Sequence, residues 1–230
     1  MPTVMMPPPT ADNAVLALSV LSAIAHLPSV LSQPGYTRMA TKTSSTALLS
    51  LLAHQRAASP LLTGALGLGS LGDAFLAWDG DDNFLRGLAS FLIAHLLYLA
   101  LLARSGGGVD ALLGEAWRAG AATFFLAVLA PTMVAVLMPR VARGLRVPIL
   151  VYSAVIAAMV AASLTTDNHV VIGGAVLFAT SDAILSVEKF LVGPSERLAR
   201  TWMRYAVWVL YYSGQLLIAL GITDGPTSSL

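Results

Sequence analysis

Apolar residues fill this chain in long blocks, separated by short polar stretches. Eight blocks are candidates for membrane-spanning helices: about 14–32, 43–54 with extensions on both sides, 61–78, 84–103, 117–138, 148–166, 170–190 and 202–221. A helix needs roughly 20 mostly apolar residues to cross a bilayer, with about 17–25 usual. The second block is the weakest, because "TKTSSTALLSLLAH" is short and rich in hydroxyls. Runs this long without alternation exclude a β-barrel, whose strands alternate lipid-facing and lumen-facing residues. The pattern predicts an all-α polytopic bundle of about eight transmembrane helices with short loops. Polar ends flank it, "MPTVMMPPPTADN" and "TDGPTSSL". The expected organisation is a tail over 1–12, one transmembrane helical domain over 13–221 and a tail over 222–230. The first stretch lacks a Lys/Arg-bearing n-region and does not read as a cleavable signal peptide.

Composition strengthens the membrane reading. Charged residues are only 11% and hydrophobic residues 57%, whereas soluble domains carry about 25% charged residues. Mean hydropathy is +0.77. A net charge of +1 gives no bulk attraction to nucleic acid. The absence of cysteine excludes disulfides, thiolate catalysis and Cys-type metal sites. Lys and Arg set the orientation. The loops after the odd-numbered blocks, with the adjoining block ends, hold Arg38, Lys42, Arg86, Arg140, Arg143, Arg146, Lys189, Arg197, Arg200 and Arg204. The other side holds Arg56, Arg104 and Arg118. Positive residues concentrate on the cytoplasmic side, so both termini are expected to be non-cytoplasmic. Short spans and tight loops suit a bacterial inner membrane, with the endoplasmic reticulum as the alternative.

Two aspartates interrupt the apolar runs. "SLGDAFLA" (70–77) and "TSDAILS" (180–186) both read small-Asp-Ala-apolar-Leu-small or close to it, with Gly64 and Gly173 each nine residues upstream of the aspartate. Asp73 falls in the third block and Asp182 in the seventh, an offset of half the eight blocks. Such an offset fits two parallel four-helix repeats, whose sites lie at the repeat interface near the midplane. Shared packing motifs are the bland alternative. A charge near the bilayer centre costs at least about 2.5–3.5 kcal/mol and normally faces a partner or a cavity.

Other polar residues fall at compatible depth. His95 and Tyr98 share a face of the fourth block, with Phe91 one turn earlier. Arg204, Trp208, Tyr211 and Gln215 form a stripe in the eighth block, and Asp182, Leu185 and Lys189 form one in the seventh. A membrane-buried Tyr or Gln is as often interhelical glue as a ligand contact. Lys189 can snorkel to the boundary. His26, His54 and His169 sit near block ends and carry no functional expectation. In "DGDDN" (79–83), Asp79, Asp81 and Asp82 resemble part of a calcium loop lacking its glutamate, and a solvated turn is expected. A mixed metal site of Asp73, His95 and Asp182 is one use of the intramembrane cluster. Gly-x-Ser-x-Gly, P-loop and HExxH motifs are absent.

Several segments together resemble the YhhN-like lysoplasmalogenase family of multispan membrane proteins. They are "GDAFLAW…FLRGLASFLIAHLLY" (72–98), "PILVYSAVIAAMVAAS" (148–163), "GGAVLFATSDAILSVEKF" (173–190) and "YYSGQLLIALG" (211–221). The likeness rests on Gly72-Asp73, His95 with Tyr98, Ser181-Asp182, Lys189-Phe190 and Tyr211-Tyr212-x-x-Gln215. It extends to "TKTSSTALL", where Thr43 follows Lys42 in place of the family's usual proline. The resemblance implies an enzyme that cleaves the vinyl ether bond of lysoplasmalogens to a fatty aldehyde and glycerophosphoethanolamine or glycerophosphocholine. That chemistry calls for one protonated carboxyl as acid and one carboxylate to stabilise positive charge or activate water, as in glycoside hydrolysis. Asp73 and Asp182 fit the two roles, in either order, and no metal or organic cofactor is required. His95, Tyr98, Tyr211, Tyr212 and Gln215 are candidates to bind the glycerol or orient water. Lys42, Lys189 and Arg204 are candidates for the phosphate. The expected partners are a lysophospholipid substrate and membrane lipids. A proton-coupled transporter or a non-catalytic lipid-binding protein is the alternative, since buried Asp, His and Tyr also suit a proton relay.

Overall fold

The computed structural model describes residues 11–224. Among these residues there are nine helices and no strands. They are α1 (Ala11–His26), α2 (Tyr36–Gln55), α3 (Pro60–Leu76), α4 (Asp81–Ser105), α5 (Gly108–Gly114), α6 (Ala116–Leu137), α7 (Arg143–Ser163), α8 (His169–Phe190) and α9 (Arg197–Asp224). The eight long helices stand at the eight positions expected from the apolar blocks. Six of them, α1 together with the 3-10 turn that carries it to Ser29, α4 and α6 to α9, have the length and hydropathy to cross a membrane. At 17 residues, α3 is apolar but short. Helix α2 is long enough at 20 residues but too polar on average. Most of both expected tails lies outside the described residues. Ala11 and Asp12 already belong to α1, and residues 222–224 close α9.

Several boundaries differ from those expected. The expected extension of the second block carries α2 back to Tyr36, so that Arg38 and Lys42 lie within it and line an internal cavity. Asp81 and Asp82 form the first turn of α4, where negative charge complements the helix dipole. Only the residues before them turn the chain, with Gly80 at φ 109. The short helix α5 lies between the fourth and fifth apolar blocks.

Caps and small residues fix the long helices. Ser59 caps α3 ahead of Pro60, accepting from the Leu61 amide at 3.4 Å. Asn168 caps α8, accepting from Val170 and Val171 at 3.0 and 3.2 Å. Its amide also donates to the Gly221 carbonyl of α9 at 2.8 Å. Nearby, a Cβ on Gly174 would stand 2.8 Å from the Gly214 carbonyl oxygen, and the reverse contact is equally close. Backbone meets backbone there, the small-residue contact that drives helix association in lipid. Helix α3 packs along α4 as α8 packs along α9, the same pairing in each half, and α4 joins the halves by packing on α7.

Hydroxyls complete the interfaces. Ser50 donates to Thr63 O at 2.8 Å, Ser70 to Thr43 O at 2.9 Å, Ser90 to Leu68 O at 2.7 Å and Ser181 to Val207 O at 3.0 Å. Each such bond contributes about 0.6 kcal/mol on average inside a membrane. Among the hydroxyls that lower the hydropathy of α2, Ser45 and Thr46 are fully buried and Ser50 bonds to α3. The main core gathers Leu49, Leu62, Leu66, Tyr98, Phe178 and Ile218 around this framework.

Helix α6 is built differently. Phe124–Leu129 forms a π-helical turn with no buried residue in it. Pro131 follows two residues later. Proline supplies no N–H to the preceding turn, which explains why the ordinary ladder is interrupted at that place.

Candidate functional site

One cavity of about 380 Å³ runs into the bundle and is lined from α1, α2, α3, α4, α7, α8 and α9. Lys42, Asp73, Asp182, Lys189, Arg204 and Tyr211 all line it. The two aspartates thus come from the two halves of the chain into a single space.

Asp73 is fully buried and heavily bonded. Its Oδ2 accepts from the Tyr211 hydroxyl at 2.7 Å and from Thr46 at 3.0 Å. Lys42 Nζ lies 3.2 Å from its Oδ1. The bonding extends backward. Tyr98 donates to Gln215 Oε1, and the Gln215 amide donates to the Tyr211 oxygen at 3.4 Å. A Cβ on Gly69 would stand 2.8 Å from Gln215 Nε2, so glycine leaves the room this relay occupies.

Asp182 has fewer partners. Its Oδ2 accepts from Tyr152 at 3.0 Å and faces His95 Nε2 at 3.5 Å. His95 is fully buried, and its Nδ1 lies 2.7 Å from the Phe91 carbonyl oxygen. A carbonyl only accepts, so Nδ1 bears hydrogen. That leaves Nε2, which has no hydrogen-bond partner, aimed at the Asp182 carboxyl. Phe178 packs against the imidazole, with ring centroids 4.5 Å apart.

The opposite end of the cavity is basic. Arg38, Lys189, Arg200 and Arg204 line the cavity, with the carboxylates of Asp79 and Glu188 among them. Glu188 Oε1 accepts from Arg200 Nε at 2.8 Å and from Arg204 Nε at 3.2 Å. Lys189 Nζ sits 4.1 Å over the Phe84 ring.

The other sequence-selected residues sort clearly. Tyr98 and Gln215 lie behind the cavity wall and reach it through Tyr211. Lys42 lies 3.2 Å from Asp73, one turn along α2 from Arg38. Tyr212 turns toward α1, where its hydroxyl meets Ser19 Oγ at 2.8 Å, and it does not line the cavity. Among the described residues, no group of three or more His, Asp or Glu is placed to share a metal ion. Tyr152, Thr46, Arg38 and Arg200 enter the site without a sequence signal beyond being polar residues in or beside a span. His26 had carried no expectation. It lines the cavity, stands 3.0 Å from Thr41 Oγ1 and packs on Trp208 with centroids 4.3 Å apart.

The model of the YhhN family matches residues 37–222. The chain belongs to the YhhN family. Within it, the chain is similar to lysoplasmalogenase TMEM86B of Mus musculus, at 30% identity over 166 residues. That match covers 72% of this chain and 65% of the mouse protein, just under two thirds of its length. It is similar also to the lysoplasmalogenase of Mycobacterium tuberculosis, at 29% identity over 76% of this chain and 67% of the relative. Lysoplasmalogenase TMEM86A of Bos taurus is 26% identical over 67% of this chain and 62% of its own length. No solved structure matches this YhhN chain.

Proposed function

We propose that this YhhN-family protein is a membrane hydrolase that cleaves the vinyl ether bond of lysoplasmalogens. The observation that carries the reading is the pairing of Asp73 and Asp182 in one cavity whose far end is ringed by arginine and lysine. The relatives named lysoplasmalogenase support it.

The two carboxyls have unequal surroundings, and the roles follow from them. Asp182 is the acid, its carboxyl facing His95 Nε2 across 3.5 Å. It delivers the proton to the vinyl carbon remote from the ether oxygen. The π pair forms the new C–H bond, leaving an oxocarbenium ion. Asp73 faces three donors, the surroundings of an acceptor-only carboxylate. It stabilises the positive charge and takes a proton from the water that adds to the cationic carbon. The C–O bond to glycerol then breaks, the glycerol oxygen taking the proton from Asp73 while the hemiacetal hydroxyl returns a proton to Asp182, and a fatty aldehyde leaves. Arg38, Lys189, Arg200 and Arg204 hold the phosphate, for which guanidinium groups supply charge-assisted hydrogen bonds. The basic end is the cytoplasmic end, following the positive-inside bias.

The test is direct. Purified protein in detergent, given a lysoplasmalogen, is expected to release fatty aldehyde and the glycerophospho-alcohol in equal amounts. Well-folded protein that releases no aldehyde overturns the hydrolase reading.

A further inference from the structure

A second, smaller cavity of about 60 Å³ meets the first at Asp182. Tyr152, Ser153, Asp182 and Ser186 line both spaces. Away from those shared residues, the second space is lined only by apolar side chains of α6, α7 and α8, among them Leu129, Met133, Ile156, Ala157 and Ala183. The two spaces therefore leave the same carboxyl in chemically opposite directions. One leads to four cationic side chains, the other to alkyl surface.

We propose that this groove between α6, α7 and α8 is the subsite for the alkenyl chain, with the chain entering sideways from the bilayer past α6. The inference rests on the vinyl ether reading of the Asp182 site. A lysoplasmalogen has the same polarity about its reacting bond as the two cavities have about Asp182: glycerophosphate on one side, hydrocarbon on the other. With the vinyl carbons at Asp182 and the phosphate at Arg200 and Arg204, the chain has to continue away from the basic end. The groove supplies that continuation. Its volume takes only the first carbons, so the remainder lies along α6 against lipid. Helix α6 suits that task, because Phe124, Leu126 and Val128 of its π-helical turn are exposed. Interrupted helical ladders of this kind recur at functional sites. Alanine at 157, 179 and 183 keeps the groove open where larger side chains would fill it.

Two experiments test the subsite. In the first, kcat/KM is measured on hexadecenyl and butenyl glycerophosphoethanolamine for the wild type and for Ala183→Leu. The substitution is expected to lower the ratio of long-chain to short-chain kcat/KM by about tenfold, the scale on which a few methylenes are discriminated. Equal loss on both substrates, or no change in the ratio, overturns the proposal. The second needs no turnover. A non-cleavable alkyl ether lysophospholipid carrying a mid-chain diazirine is photolysed on the wild-type protein. Labelling within 125–137 and 153–160 supports the groove, and labelling confined to other helices overturns it. If the wild type releases no aldehyde yet labels these segments, the hydrolase reading fails and the groove stands as a lipid-chain site.

Discussion

Asp73 and Asp182 look like twins along the chain and live in different surroundings. Asp73 is tied to Tyr211, Thr46 and Lys42, and through Tyr211 to Gln215 and Tyr98. Asp182 has one hydroxyl, one imidazole and two open spaces beside it. A group held by many donors is positioned to stay as it is. A group with few ties, at the junction of two cavities, can exchange a proton with what enters. On the proposed vinyl ether reading, this difference is what separates the roles of two aspartates whose matching motifs leave them symmetric.

The sharpest way to break the contrast is to neutralise each carboxyl in turn. Asp182→Asn is expected to have the largest effect, lowering kcat by about 100- to 10,000-fold, the contribution of a general acid. Binding of a non-cleavable ether analogue, followed by calorimetry, should persist. Asp73→Asn is expected to lower kcat by about 100-fold, the scale of one lost charge-stabilising group. Unlike Asp182→Asn, it should also lower the thermal midpoint in detergent, because Lys42 loses its buried partner. If Asp182→Asn keeps normal turnover, the assignment of the acid is wrong.

Smaller effects sharpen the picture. Arg204→Gln is expected to raise KM by about tenfold with kcat retained, since a charge-assisted contact is worth roughly 1.5–3 kcal/mol. Steady-state kinetics over a range of salt should show the same direction for the wild type. Tyr212→Phe should matter least. It removes a bond to Ser19 worth about 0.6 kcal/mol, visible as a slightly lower thermal midpoint and a change in kcat/KM below about threefold. A large kinetic loss there would bring Tyr212 back into the site.

The spans were legible because long apolar blocks have few other readings, and the aspartates because carboxylates are so costly within them. The rest depended on facing. Tyr211 and Tyr212 are adjacent, hence about 100° apart on a helix, and the pair does not say which one points inward. Tyr152 sits in a wholly ordinary apolar run, and only the packing of α7 against α4 and α8 brings it to Asp182. Helix α2 was hard to delimit for the reason it is useful: Lys42, Ser45 and Thr46 lower its hydropathy because they turn inward. His26 lay close enough to a helix end to pass for a boundary residue. Pro131 was in plain view, but what it does to the ladder of α6 depends on where the neighbouring carbonyls find partners.

Helices α8 and α9 also have a mechanical side. At one end they are riveted, with Gly174 against Gly214 and Asn168 bound to Gly221. At the other they are latched by a single carboxylate shared between two guanidinium groups, Glu188 with Arg200 and Arg204. A rivet of backbone on backbone is indifferent to ions, whereas a latch whose guanidinium groups are partly exposed around a buried carboxylate can be contested by an arriving anion. The ionic tie of the pair thus sits at its tips, where on the proposed reading a phosphate would first touch the protein.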